Sequence, residues 1–141
     1  MYGRDEAEWI QLTEWGRQFL IEVAAIGVQI AYSDLNATLV RDTGLKGFDF
    51  DQPDGRAAMS YLLKQIVRLD QELLPPAAPD PKALMLSAVV GYRGANDPGP
   101  GFYELAKNDG LLPPKASKQE KNDFWADQVT KLADRHRPGN G

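Results

Sequence analysis

The pattern of apolar positions opens with Trp9, Leu12, Phe19, Leu20 and Val23, most of them at three- and four-residue steps. That spacing puts them on one face of a helix from Glu6 to about Ala25, and Gly27 breaks it. Val28-Gln29-Ile30 reads as a short extended piece, because two of its residues are β-branched. Ser33 then offers a hydroxyl as N-cap, with Asp34 behind it at the positive end of the helix dipole. Leu35 and Leu39 give this second helix its buried side, and Gly44 closes it. Met59, Leu62, Leu63, Ile66 and Leu69 form a third stripe, which predicts a helix from Gly55 to about Asp70 capped by Asp54.

The second half is more broken. Leu74 to Pro81 holds four prolines in eight residues, which fits neither a helix nor a central strand. Ala83 to Tyr92 is apolar and partly β-branched, and reads as a buried strand. Arg93 to Gly101 carries three glycines and two prolines, the composition of a turn. Phe102 to Asp109 predicts a short helix with Gly110 behind it. Ser117-Lys118-Gln119-Glu120 fits the capping box of a last helix carrying Phe124, Trp125, Val129 and Leu132, which Pro138 ends. The expected fold is mainly α with a small β component: five helices and one strand, in a single domain over 1–137. Residues 138–141 read as a disordered tail.

A length of 141 residues suits one domain, and no internal repeat is visible. With 43% hydrophobic and 26% charged residues the chain has the balance of a folded protein. Cysteine is absent, which excludes thiol nucleophiles, thiolate metal sites and disulfides together. The longest apolar run, Ala83 to Val90, falls far short of the ~20 residues that cross a bilayer. The acidic start, Met1 to Glu6, has no signal-peptide pattern, so a cytoplasmic protein without a membrane partner is expected.

A net charge of −4 argues against binding a polyanion through bulk charge. The charge is uneven, however. Residues 1–54 hold four basic against ten acidic side chains, while residues 55–70 hold Arg56, Lys64 and Arg68 against Asp70 alone. On a helix those three basic residues spread over about 120°, roughly opposite the apolar stripe. Such a face is either simply solvated or set to meet phosphates.

Helix, short helix, third helix, strand and glycine-rich turn is the order of a winged helix-turn-helix. Gly27-Val28-Gln29-Ile30-Ala31-Tyr32-Ser33-Asp34-Leu35 resembles the G-x-V-x-T-Y-G-x-(I/L)-A segment of alkylguanine-DNA alkyltransferases and alkyltransferase-like proteins. Arg56-Ala57-Ala58-Met59 resembles that family's R-A-V-G helix start, and Ala88-Val89-Val90 stands at its H-R-V-(V/I) strand. The resemblance spans about residues 27–112. It implies minor-groove docking, with Arg56 at the position of the arginine inserted into the base stack beside a flipped nucleotide. The chain also departs from the pattern. Met85-Leu86-Ser87-Ala88 stands where the family has Pro-Cys-His-Arg, and Ala31 and Ser33 replace the Thr and Gly around the tyrosine. Alkyl transfer is therefore excluded.

Other chemistry is thin. Asp49 and Asp51, two apart on an extended segment, point the same way and could share a Mg²⁺ ion. The simpler reading has Phe48 and Phe50 anchoring that loop while the carboxylates face water. His136, the only histidine, reads as a dipole partner at a helix end. Ser87 reads as a buried hydroxyl bonded back to the main chain. Gly99-Pro100-Gly101 lacks the text of a phosphate loop. Trp9, Trp15, Phe19, Phe124 and Trp125 are expected where the terminal helices pack together.

The sequence thus leads to a non-catalytic protein that binds double-stranded DNA and needs no cofactor. Arg56, Lys64 and Arg68 would meet phosphates or groove edges, Arg93 would sit in the wing, and Tyr32 and Ser33 would lie beside them. The alternatives are a protein-interaction module or homodimer through the terminal helices, and a metal-dependent enzyme using Asp49 and Asp51.

Overall fold

Asp5 begins the first helix by accepting the Glu8 amide at 2.8 Å, satisfying one of the donors a helix start leaves free. Helix α1 then runs Glu6–Ile26 and ends on Gly27, whose φ of 82° is left-handed and natural to glycine. The computed structural model describes residues 1–74, 83–92 and 97–137. After α1 come strand β1 (Ile30–Ala31), helix α2 (Tyr32–Thr43) and helix α3 (Pro53–Leu73). A 3₁₀ turn (Leu86–Val89), strand β2 (Val90–Gly91), helix α4 (Pro100–Asn108) and helix α5 (Lys118–His136) complete the described residues.

The protein is mainly helical with a small two-stranded sheet. Two expected caps are replaced. Helix α2 starts at Tyr32 behind Ala31, so Ser33 lies inside the first turn and is exposed. Helix α3 starts at Pro53, because proline at the first position loses no hydrogen bond and already has helical φ. Asp54 therefore sits in the first turn, where it still faces the positive end of the dipole. The capping box of α5 forms as expected: the Glu120 amide donates to Ser117 Oγ at 3.1 Å, and the Ser117 amide to Glu120 Oε1 at 3.2 Å.

Helix α3 is the centre of the core. Ala58, Met59, Leu62, Leu63, Ile66 and Val67 are all buried, and α3 packs on α1 and on the 3₁₀ turn. A Cβ at Gly16 would stand 2.3 Å from Ile66 Cδ1, so α1 meets α3 at a separation that depends on the missing side chain. Helix α5 packs on α1 and on the 3₁₀ turn. The aromatic residues of the terminal helices do not form one cluster between them. Trp9 packs edge-on to Tyr61 with centroids 4.7 Å apart, and Trp15 stacks on Phe19 at 5.2 Å while donating Nε1 to Asp42.

The apolar run 83–92 is mostly not a strand. Periodicity cannot separate a short buried strand from another buried segment. Here β1 offers only two residues to pair with, in parallel register Ile30↔Val90 and Ala31↔Gly91. The main chain before that pair turns into a 3₁₀ helix and takes partners from α5. Gln128, fully buried, accepts the Met85 amide at 2.7 Å and donates to the Ala83 carbonyl at 3.0 Å. Trp125 Nε1 donates to the Ala88 carbonyl at 2.8 Å. The proline-rich linker beyond Leu74 and the expected tail at 138–141 fall outside the described residues.

Replacing Gln128 by Leu keeps the volume but leaves the buried Met85 amide unpaired. The expected cost is about 1–3 kcal/mol of folding free energy, read from urea unfolding of both proteins.

Candidate functional site

The pairing of β1 with β2 decides what lies next to it. Tyr32 and Tyr92 each follow directly on a paired residue, so the parallel register brings their rings together, with centroids 5.1 Å apart at 54°. The loop before α3 adds Phe50, edge-on to Tyr32 at 6.5 Å. Gly99 closes on the far side. A Cβ there would stand 1.9 Å from the Tyr32 hydroxyl, so only glycine leaves the ring its place.

The stretch before α4 is held in turn. Gly91 bridges to Pro98, Gln29 Nε2 donates to the Asp97 carbonyl at 3.3 Å, and the Tyr103 hydroxyl donates to Asp97 Oδ1 at 2.8 Å. Burial and that carboxylate push the Tyr103 phenol above its ordinary pKa. Burial, with Tyr92 adding to it, pushes Tyr32 up to about 12, against a hydrogen bond with the Gly99 main chain that works the other way. Both rings stay neutral and polar-tipped at ordinary pH.

These residues enclose a cleft of about 520 Å³, walled by Tyr32, Phe50, Met59 and Tyr92, with Ser33 and Arg56 on its lining. That volume lies in the range of small-ligand sites. Arg56 is exposed and donates Nη1 to the Phe50 carbonyl at 2.7 Å, which fixes its guanidinium beside the cleft. A second cavity of about 260 Å³ shares Tyr32, Ala57, Ser60 and Gly101 with the first, and has Lys64 and Ser87 on its lining. Ser87 is buried as expected, but its hydroxyl makes no hydrogen bond; the Leu84 and Ala83 carbonyls, three and four residues back, accept from Gln71 and Gln128 instead.

The expected basic face of α3 is thus divided. Arg56 and Lys64 reach the two cavities. Arg68 does not: it holds Asp109 through two hydrogen bonds of 2.7 and 2.8 Å. The guanidinium keeps the Asp109 carboxyl below its usual range, and Asp109 raises Arg68 in return. Arg93 lies outside the described residues. In the acidic loop Phe48 is buried and Phe50 half-buried, while the Asp51 amide donates to Asp49 Oδ1 at 3.0 Å. Among the described residues no group of three or more His, Asp or Glu is placed to hold a metal ion. Nor is any helix among them long and apolar enough to cross a membrane.

Sequence reasoning did not name Phe50, Tyr92, Ser60 or Gly99 as site residues. Phe50 had a signal, since one of two alternating aromatics can anchor a loop while the other lines a surface. Tyr92 had none beyond its place at the end of the apolar run. Comparison with protein-family models, with curated proteins and with solved structures finds no match.

Gly99→Ala is expected to push the Tyr32 ring out of its seat. Overpacking of this kind costs about 1–3 kcal/mol, measurable as a lower urea midpoint with a changed near-ultraviolet tyrosine signal.

Proposed function

We propose that this chain is a non-catalytic DNA-binding protein that docks through the first turns of α3 and receives a base, turned out of the duplex, in the aromatic cleft beside them. The observation that carries this reading is the cleft of about 520 Å³ with Arg56 on its lining. The likeness to alkyltransferases implies an arginine at the start of that helix inserted beside a flipped nucleotide, and a flipped base needs a pocket. In this reading Phe50 or Tyr92 stacks the base, and the Tyr32 and Ser60 hydroxyls border it. Stacking contributes about 1–3 kcal/mol per base, comparable with the few kcal/mol that unstacking costs.

The docking element is short. Helix α3 is a core helix, so it cannot lay its length into a groove as the reading helix of a winged helix does; its exposed start and Lys64 carry the cations that would meet DNA, since its exposed last turn holds Glu72 and Leu73. Lys64 then contributes one phosphate contact while Arg56 enters the stack, and the affinity falls gently with salt, by a logarithmic slope of about 0.9 per contact. Catalysis has no part in it: the family's thiol position is occupied by Met85 to Ala88, without cysteine.

A second reading, a homodimer or protein-interaction module, is favoured by the exposed apolar side chains Ile10, Ile26 and Leu73, with Ile26 74% exposed. A concentration-dependent sedimentation coefficient separates the two.

Fluorescence anisotropy with a labelled duplex in low salt tests the main reading. Arg56→Ala and Lys64→Ala are each expected to weaken binding, and Lys64→Ala to lower the salt slope by about 1. Arg68→Ala is expected to leave both nearly unchanged. A 2-aminopurine in the duplex should brighten on binding, and Tyr92→Ala should remove that rise. Absence of binding at micromolar protein would sink the proposal.

A further inference from the structure

Asp70 is an ionisable residue in the interior, 1% exposed on the last third of α3. Arg17 of α1 donates Nε to its Oδ1 at 3.0 Å. Its other oxygen, Oδ2, has no hydrogen-bond partner. A buried carboxylate oxygen left bare is costly, and native structures rarely tolerate one without a reason. A second bare group comes from α5. His136, its last residue, buries Nε2 without a partner. Beside it Arg135 donates to the Leu74 carbonyl at 3.4 Å, tying the ends of α5 and α3 together.

Three helices therefore converge on one small polar cluster. Among the described residues the charged groups acting on His136 are Arg17 from α1, Asp70 from α3 and Arg135 from α5 itself. The two guanidinium groups repel a positive ring and the carboxylate attracts it, while burial disfavours the charge altogether. Burial is the largest of these effects and holds the imidazole below its ordinary pKa. Burial thus opposes the positive charge through which a histidine at a helix end would act on the dipole.

We propose that the C-terminal turn of α5 is an acid-released latch: neutral His136 docks it against the Arg17–Asp70 pair, and protonation of the ring undocks it. The direction follows from linkage. The undocked chain takes up the proton near the ordinary value of about 6.5, before the docked chain does. Docking is at full strength above that pH and weakens as pH falls through it. The Asp70 carboxylate works against this, and an imidazolium that paired with its bare oxygen would tighten the latch in acid.

The test is direct, because the full chain has one histidine and hence one Cε1–H signal in proton NMR. The expected titration midpoint lies below about 6.5. Amide exchange over Ala133 to His136, corrected for the intrinsic rate, is expected to lose protection over the same pH interval. His136→Phe should abolish that pH dependence, and His136→Gln serves the same purpose if the larger ring does not fit. A midpoint at or above the ordinary value overturns the latch. So does protection that holds or rises in acid, or an unchanged acid response in the variants.

Discussion

Two pairs of residues hold the candidate site together. The parallel contact of Ile30 and Ala31 with Val90 and Gly91 is the smallest sheet that can exist, and it is not stable alone. It persists because both partners are anchored elsewhere. Ile30 and Ala31 lie between two long helices, and Val90 leaves a 3₁₀ turn whose main chain is satisfied by Gln128 and Trp125 from α5. The pairing then places Tyr32 against Tyr92, and so sets one wall of the cleft. Helix α5 acts on the site at second hand, because it holds the segment that presents Tyr92.

Charge shows a similar division between structure and availability. Arg56, Lys64 and Arg68 look alike on a helical projection. Their neighbours make them different. Arg68 faces Asp109 across a two-bond ion pair, Arg56 is steadied by a neutral carbonyl, and Lys64 is exposed but lies in the field of the same Asp109 carboxylate. Only a cation without a carboxylate partner retains its full attraction for a phosphate. An acidic protein can accordingly keep a local basic point at the start of α3, although its overall field opposes a polyanion.

Much of the helical scaffold was legible because its signals are local. The stripes of α1, α3 and α5, the left-handed Gly27 and the Ser117–Glu120 box depend on residues a few positions apart. The run 83–92 was misread because its conformation is decided by α5, some 40 residues on, through Gln128. The helix starts shifted by a residue or two where proline or tyrosine could enter the first turn. Of the site, Tyr32 and Arg56 were visible through their motif. Phe50 showed only as one of two alternating aromatics and Gly99 not at all, since their role exists only once the loop and the turn close around Tyr32.

The absence of cysteine becomes more specific in three dimensions. Met85 to Ala88 span the junction into the 3₁₀ turn and its first residues, and Ser87, the one polar side chain of the four, is the one that lines the second cavity. The lining it shares there includes Lys64 and Glu104, while the sole histidine is the last residue of α5. The cleft has shape, aromatic walls and a cation on its lining, which are means of binding.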